Sequence, residues 1–327
     1  MSPVQGTRKL NENMLEILAI LDGIEGPATS GEIQRELNRR GIYLSQRTIR
    51  YYLKLMDELG LTKKVRKARQ ITSEGRRRMR ALTVSTRMEW MLDRMYQRIA
   101  EMDFDLATGS GSVIANKLFL RREDFTWVMQ HVISLGKEVP KLLFYPRYQV
   151  RETGLRRGDL LEIKYVSSNT LYGILLRNGV PVSVKGVGLL ELKNYRPTTF
   201  VEVMHYSGTT ISPSQLLIFA GMTRVSEAAK RGTGTVLATF GEIPYNSISK
   251  AQKILDKMRE LGFEGIMEIR EPGFAYGLRT GKLRGVVISV TGANFAAMIK
   301  EGGFDLRMAF DTAMDDLSAF DRNVIPV

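Results

Sequence analysis

The 327-residue sequence contains no cysteine and only two histidines, His131 and His205. The lack of cysteine excludes disulfides, thiolate metal sites and cysteine nucleophiles, and it fits a protein of a reducing compartment. Neither histidine lies in a recognisable catalytic or metal-binding motif, and we interpret both as packing residues. The usual side chains of a metal centre or an acid–base site are therefore scarce.

Long apolar runs and common catalytic motifs are also missing. No run approaches the ~18 uninterrupted apolar residues of a membrane-spanning helix. No apolar signal core stands at the N-terminus, so we expect a cytoplasmic location. The G-x-G stretches at Gly109 and Gly232 lack the third glycine of a dinucleotide fingerprint. We therefore expect a protein that is not an enzyme and that holds no metal or cofactor.

Acidic residues are few in the first quarter of the chain, where positive charge accumulates. Residues 1–87 contain 18 Lys and Arg against 9 Asp and Glu, a balance of +9, whereas the remaining 240 residues contain 30 against 26, a balance of +4. A local excess of this kind favours binding to a polyanion, most simply nucleic acid. A membrane surface is the rival partner, but the basic segment has no adjoining Trp- or Phe-rich apolar face.

Residues 45–59 have the pattern of a DNA-recognition helix. Ser45 is a suitable N-cap and Gly60 a suitable C-terminal stop. Two stripes recur at helical spacing, one apolar and one basic without any acid. The apolar stripe contains Ile49, Leu53, Met56 and Leu59, and the basic stripe contains Arg47, Arg50, Tyr51 and Lys54.

The surrounding sequence predicts a winged helix-turn-helix domain, mainly α-helical, over residues 1–84. Residues 11–23 predict a first helix, and a second follows an N-cap at Ser30 and ends at Gly41. Residues 61–72 predict a two-stranded β-wing that carries cations to the phosphate backbone, while the first turn of the recognition helix reads base edges. The predicted contacts to double-stranded DNA are Ser45, Gln46, Arg47, Thr48, Arg50, Tyr51, Lys54, Lys63, Lys64, Arg66, Lys67 and Arg69.

Residues 85–102 predict a connecting helix that joins this domain to the rest of the chain. Its apolar face contains Met88, Met91, Leu92, Met95 and Ile99. A methionine-rich face at helical spacing is typical of a packing surface. It can pack on the next domain or on a second chain, and we expect a homodimer.

Residues 103–327 contain an internal repeat. The stretch from Gly109 to Asn116 is similar to that from Gly232 to Thr239, at an offset of 123 positions, and the stretch from Leu160 is similar to that from Arg284, at an offset of 124. In both copies a hydrophobic strand leads into a small polar turn and then a helix. We therefore predict an α/β sensor domain built from a duplication, with repeats of roughly 103–206 and 226–327.

The polar turns of this domain are candidate effector sites. A turn that leads from a strand into a helix offers free amides, hydroxyls and the positive end of a helix dipole, which suit a carboxylate or phosphate. The alternative is that these side chains are simply helix caps. The candidate residues are Ser167, Ser168, Asn169 and Thr170 in the first turn, Thr291, Gly292 and Asn294 in the second, and Thr209 and Thr210 in a third.

The sequence resembles the archaeal nitrogen-regulation repressor family (NrpR) and its bacterial relatives over nearly its whole length. The resemblance rests on SQRTIRYYLKLMDELGLTKKV and RQITSEG in the N-terminal part, and on SNTLYGILLRNGVPVSVKGVGLLEL, GTTISP, MTRV and GTGTVLATFGEIP in the C-terminal part. It implies one winged helix followed by one effector module. It also implies a dimeric repressor that releases promoter DNA on binding 2-oxoglutarate, a signal of nitrogen shortage.

We therefore expect a DNA-binding transcriptional regulator controlled by a small anionic metabolite. Three alternatives remain at this stage. The first is an effector-independent DNA-binding protein whose C-terminal module only dimerises, and the second is a regulator of the same build that senses another metabolite. The third is an enzyme tethered to DNA, which the shortage of catalytic side chains argues against.

Overall fold

The structure is a computed structural model that describes residues 12–24, 26–39, 42, 44–152, 160–209 and 211–325. The chain divides into two compact units, residues 1–87 and residues 88–327. We describe each unit by itself.

The N-terminal unit is a winged helix. Its elements are α1 (Glu12–Gly23), α2 (Ser30–Arg39), α3 (Gln46–Glu58), β1 (Thr62–Val65), β2 (Ala68–Ile71) and the start of α4 (Ser73–Glu101). The two strands form an antiparallel hairpin in which Thr62 lies opposite Ile71. Apolar side chains from all three helices share one core, which includes the predicted inward residues Ile49, Leu53 and Met56. The predicted helix-turn-helix and wing are therefore confirmed.

The start of α2 differs from the prediction that Ser30 is its N-cap. The backbone amide and hydroxyl of Thr29 donate to Glu32 Oε2 at 2.7 Å each, and the Glu32 amide donates back to Thr29 Oγ1 at 3.3 Å. This reciprocal pair is a capping box, which places the cap one residue earlier. The Ser30 hydroxyl instead accepts from Arg50 Nε at 3.4 Å.

Helix α4 unites two segments that the sequence pattern treats separately. It runs for 29 residues from Ser73 to Glu101, so the helix after the wing and the predicted connecting helix form one element. In its last turns, Met95 and Ile99 are buried in a core of the second unit, and Leu92 packs against that core. The side chains of Met88 and Met91 lie outside the described residues.

The second unit contains two five-stranded sheets with helices around them. Its elements in chain order are β3 (Ser112–Arg121), α5 (Phe125–Ser134), β4 (Arg147–Glu152), β5 (Leu160–Val166), α6 (Asn169–Arg177), β6 (Ser183–Lys193), β7 (Arg196–His205), α7 (Pro213–Phe219), α8 (Val225–Arg231), β8 (Gly234–Pro244), α9 (Ile248–Glu260), β9 (Met267–Arg270), β10 (Phe274–Ala275), β11 (Leu278–Arg279), β12 (Arg284–Val290), α10 (Asn294–Glu301), β13 (Arg307–Asp316) and β14 (Arg322–Asn323).

The strand order of the two sheets interleaves the chain. One sheet has the order β13-β3-β5-β4-β14 and the other has the order β7-β6-β8-β12-β9. Strand β13, from the end of the chain, pairs antiparallel with β3, and β6, from the first half of the unit, pairs antiparallel with β8. Each sheet therefore contains a strand from the other half of the unit, which ties the halves together through backbone hydrogen bonds.

Candidate DNA-binding surface and effector-binding region

The exposed face of α3 presents the predicted basic stripe. Ser45 caps the helix, because its hydroxyl oxygen accepts from the Thr48 amide at 3.1 Å. The side chains of Arg47, Arg50 and Lys54 are exposed, together with Gln46 and Tyr51. The apolar stripe lies on the opposite face and fills the core, so α3 presents its cations and phenol to solvent.

Side-chain contacts pre-order part of this face. One terminal nitrogen of Arg50 donates to Gln46 Oε1 at 2.9 Å, one helical turn away. The Thr48 hydroxyl is not free, since it lies 2.8 Å from the Ser45 hydroxyl. Thr48 therefore serves the cap, whereas Arg47 and Lys54 have no ion pair with another described residue.

The wing adds a second basic surface. Lys63, Lys64, Arg66 and Lys67 are exposed, and none of them forms an ion pair with another described residue. Arg66 has a φ of 55° at the tip of the two-residue turn between Val65 and its partner strand. The hairpin thus extends four free cations, the arrangement that suits a phosphate backbone.

Arg69 differs from the other predicted DNA-contacting residues. Its Nε donates to Asp57 Oδ2 at 2.6 Å, and only 20% of its side chain is exposed. Asp57 also accepts from the Thr62 hydroxyl at 2.6 Å. Arg69 therefore joins the wing to the end of α3, which corrects its predicted placement on the open basic surface.

The first and second polar turns of the sensor domain lie next to each other in the interior. A Cβ added at Gly292 would overlap the carbonyl oxygen of Val166, the residue that precedes Ser167. Ser168, Thr291 and the other predicted residues of these turns are buried. The two candidate turns therefore touch each other, but they are packed rather than open.

Two of these turn residues hold strand backbones. The Thr170 hydroxyl accepts from the Ile114 amide at 3.1 Å and donates to the Ile114 carbonyl at 3.2 Å. Asn294 does the same for Leu237, accepting from its amide at 2.8 Å and donating to its carbonyl at 3.1 Å. Their polar atoms are therefore occupied by structural hydrogen bonds.

The first turn already holds a carboxylate, that of Asp311. The Ser167 hydroxyl donates to Asp311 Oδ1 at 2.7 Å, and Asn169 Nδ2 donates to Oδ2 at 2.8 Å. Burial raises the pKa of Asp311, and the hydrogen bonds from Ser167 and Asn169 oppose that rise. Asp311 has a φ of 49° and lies in an irregular stretch of β13. Because this contact spans 144 positions, no local sequence signal points to Asp311.

The remaining predicted effector residues fall into three cases. Thr291 Oγ1 and Asn169 Oδ1 are buried without a hydrogen-bond partner. Thr209 serves its own turn, since its hydroxyl donates to the Ile211 carbonyl at 2.7 Å. Thr210 lies outside the described residues.

A cavity of about 530 Å³ lies elsewhere in the second unit. Its walls come from β6, β8, β12, the end of β7, the β10–β11 hairpin and the last turns of α4. None of the predicted effector residues that the structure describes lines it. Its charged and aromatic lining consists of Tyr96, Lys185, His205, Phe240, Glu242 and Arg279.

The two histidines have different surroundings. His131 Nε2 lies 3.2 Å from the Met298 carbonyl, which fits the predicted packing residue. His205 lies at the end of β7 and contacts the Phe240 ring edge-on, with 5.6 Å between ring centroids. Because both rings line the cavity, His205 is also a candidate binding residue that sequence reasoning missed.

Within the described ranges there is no group of three or more acidic or histidine side chains that could hold a metal ion. No helix in the part of the chain that the structure describes is long and apolar enough to cross a membrane.

Comparison with known proteins gives a family model for the N-terminal unit and relatives that align with most of the chain. Residues 15–79 match a family model described as the ribonuclease R winged-helix domain. The global nitrogen regulator NrpRI of Methanosarcina mazei is 28% identical over 306 residues, which cover 91% of this chain and 94% of that protein. The global nitrogen regulator NrpR of Methanocaldococcus jannaschii is 31% identical over 258 residues, which cover 76% of this chain and 44% of that protein.

The fold of the chain also has a solved counterpart. The crystal structure of a nitrogen repressor-like protein from Methanococcus jannaschii superposes with a TM-score of 0.59. It covers 71% of this chain and 97% of that chain, at 24% sequence identity. At this identity the likeness shows a shared fold.

The second unit matches the family model described as NrpR regulatory domains NRD1 and 2, which spans residues 88–322, well over half of the chain. That range contains the polar turns, the cavity and, apart from Asn323, both sheets. Together with the winged helix before it, this match shows that the chain belongs to the NrpR family.

Proposed function

We propose that the protein is a transcriptional regulator, most simply a repressor, that binds double-stranded DNA in the cytoplasm without catalysing a reaction. The observation that carries the proposal is the cationic surface of α3 and the wing, where Arg47, Lys54 and the wing cations are exposed and unpaired among the described residues. The names of the relatives, global nitrogen regulators, support the same function. Recognition would follow the helix-turn-helix mode, with α3 in the major groove.

We propose that the regulator acts as a homodimer. A winged helix that contacts one half-site gains affinity and specificity when a second copy reads a half-site one helical turn away. The candidate dimerisation element is the predicted connecting segment, residues 85–102, which up to Glu101 forms the second part of α4. Its test is the molecular mass of the protein in solution, by light scattering, with and without DNA.

We further propose that the sensor domain arose by duplication. Thr170 and Asn294, at an offset of 124, make the same pair of backbone bonds to Ile114 and Leu237, at an offset of 123. The strand orders support this interpretation, since β3, β5, β4 and β13 correspond in position to β8, β12, β9 and β6.

We propose that a small anionic metabolite controls DNA binding, with 2-oxoglutarate as the first ligand to test. One observation supports an anionic ligand. The hydrogen-bond donors of Ser167 and Asn169 already bind a carboxylate, that of Asp311. An effector bound at the predicted turns would have to replace that internal carboxylate. It would shift the population of sensor states and so change the DNA affinity.

The test is selection of duplexes from a random-sequence DNA pool by the full chain, followed by binding isotherms with and without 2-oxoglutarate. We expect enrichment of a symmetric site and weaker binding when the metabolite is present. Failure to enrich any sequence would contradict the regulator function.

Two alternatives have distinct outcomes in that experiment. An effector-independent DNA-binding protein would enrich a site that no dicarboxylate affects, and no dicarboxylate would raise its melting temperature. A regulator of the same build for another metabolite would respond to a different member of a metabolite panel.

A further inference from the structure

The cavity is built by residues of β6, β7, β8 and β12, of the β10–β11 hairpin and of α4. Strands β6 and β8 contribute Lys185 and Glu242, β7 contributes His205 at its last residue, and the β10–β11 hairpin contributes Arg279. Its volume of about 530 Å³ lies within the range of small-molecule sites. The walls thus combine a sheet, a hairpin and a helix around a space large enough for a metabolite.

The charges of the cavity favour an anion. Lys185 pairs with Glu242 at 3.1 Å, so these two charges offset each other. Arg279 is exposed and has no ion pair with another described residue. Its guanidinium can therefore donate a fork of hydrogen bonds to a carboxylate or phosphate.

The polar turns are a poorer place for the same ligand. Thr170 and Asn294 are tied to strand backbones, and Asp311 occupies the donors of Ser167 and Asn169. A ligand would have to break these hydrogen bonds inside a packed region. Arg279 lines the cavity and is exposed, so a ligand there needs no such displacement.

Helix α4 forms part of the cavity wall. Leu92 and Tyr96 line the cavity, and the Tyr96 hydroxyl accepts from the amide of Val184, a further lining residue, at 3.2 Å. The same helix begins at Ser73, directly after the wing strand β2. A ligand in this cavity would therefore contact the helix that continues from the DNA-binding unit.

We infer that this cavity binds the effector as a small organic anion paired with Arg279, and that the ligand reports its presence through Leu92 and Tyr96 of α4. The inference rests on the proposed function for the existence of an effector. It differs from the prediction from sequence in the position of the site.

The test uses the full chain in a Trp127→Phe background. Trp127 is an exposed residue, and its removal leaves Trp90, in α4 two positions before Leu92, as the only tryptophan of the chain. Titrations follow Trp90 fluorescence and calorimetric heat with 2-oxoglutarate, succinate, inorganic phosphate and glutamine. We expect the anions, but not the zwitterionic glutamine, to bind and to change the fluorescence.

Three variants locate the site. Arg279→Ala should weaken binding of the responding anion about tenfold or more, because a charge-assisted hydrogen-bonding partner is lost. Arg279→Lys should retain part of the affinity, since it keeps the charge without the fork. Lys282→Ala, which removes a neighbouring exposed cation that does not line the cavity, should leave the affinity unchanged. Equal melting temperatures of the three proteins without ligand would show that the fold is intact.

The outcomes separate the cavity from the proposed function. If an anion binds and weakens DNA binding equally in wild type and Arg279→Ala, while Ser167→Ala abolishes the response, the cavity inference is overturned and effector control survives. If no anion in the panel affects fluorescence, heat or DNA binding of the wild-type chain, both the cavity and the proposed control by these anions fail. If Arg279→Ala loses anion binding while Ser167→Ala and Lys282→Ala retain it, the cavity inference is supported.

Discussion

The wing of the N-terminal unit and a sheet of the second unit (called the regulatory unit below) use their cations in opposite ways. On the wing, Lys63, Lys64, Arg66 and Lys67 are exposed without an ion pair to another described residue. In the regulatory unit, Lys164 lies 2.7 Å from Asp315 with only 6% of its side chain exposed. Positive charge is therefore exposed on the wing and neutralised at this buried position of the sheet.

This difference separates affinity for a partner from stability of the fold. An exposed, unpaired cation contributes little to folding but attracts a polyanion over distances comparable to the Debye length. A largely buried pair between strands fixes their contact and is costly to break. The net charge of +9 in residues 1–87 agrees with an exposed basic wing, whereas the other 240 residues have a net charge of only +4. The ion pair of Lys164 with Asp315 shows how a cation of the second unit is neutralised.

The largest expected effect comes from removing the displayed charges. The variant with Lys63, Lys64, Arg66 and Lys67 all replaced by Ala should bind duplex DNA on the order of 100-fold more weakly, because contacts to phosphates are lost. Its plot of log K against log salt should be shallower by about one unit per lost phosphate contact. Fluorescence anisotropy at several salt concentrations measures both quantities.

The matched control removes four exposed lysines of the regulatory unit, Lys137, Lys250, Lys253 and Lys282. It lowers the net charge by the same amount. Equal losses of DNA affinity in the two variants would mean that overall charge, rather than the wing, determines binding.

The next effect concerns the neutralised charges. Lys164→Met should lower the free energy of unfolding by about 3 kcal/mol, because Asp315 loses its nearest cation while only 14% of its side chain is exposed. Lys257→Met breaks an exposed pair with Glu260 and should change stability by about 0.5 kcal/mol or less. Urea unfolding measures both, and similar values would show that the sheet pair contributes no more than a surface pair.

A comparable effect is expected within the regulatory unit at Asn294. Asn294→Ala should lower the free energy of unfolding by about 2 kcal/mol, since the backbone groups of Leu237 and the carbonyl of Leu142 lose their buried partner. Thr170→Val should cost about 1 kcal/mol, because one hydroxyl serves Ile114 at the equivalent place. If both variants instead retained stability but lost the response to the effector, the turns would be the ligand site.

The smallest effect is a pH dependence at Asp311. Burial raises the pKa of the folded carboxyl above its usual 3.8, so its protonated form is favoured by folding. The stability that Asp311 contributes is therefore present at low pH and is lost as the pH rises through the raised pKa. Over the pH range above the usual 3.8, wild type should lose stability relative to Asp311→Asn as the pH rises. A difference that stays constant over this range in urea unfolding would contradict the raised pKa.

Local signals predicted the winged helix well. The cap at Ser45, the stop at Gly60 and the apolar spacing of α3 act over a few residues, and the structure contains each of them. The error at the start of α2 is also local and amounts to one residue. Thr29 and Ser30 are both suitable N-caps, and Glu32 favours Thr29 through the capping box.

The regulatory unit was less predictable because its decisive contacts are distant in sequence. The pairing of β13 with β3 joins segments about two hundred positions apart, and the contact of Asp311 with Ser167 depends on it. The cavity needs α4, His205 and the hairpin residue Arg279 to meet. Periodicity can predict each of these elements, but it carries no information about which distant elements share a wall.

We propose that the wing contacts duplex DNA and that an anion in the regulatory unit ends this contact. Because the chain has no cysteine, Lys67→Cys and Lys257→Cys each introduce a single thiol that can carry a DNA-cleaving reagent. With a selected duplex, we predict localised cleavage from position 67, none from position 257, and loss of cleavage when the responding anion is added. Cleavage from position 257 instead of 67, or cleavage from 67 that persists with the anion bound, would contradict the account.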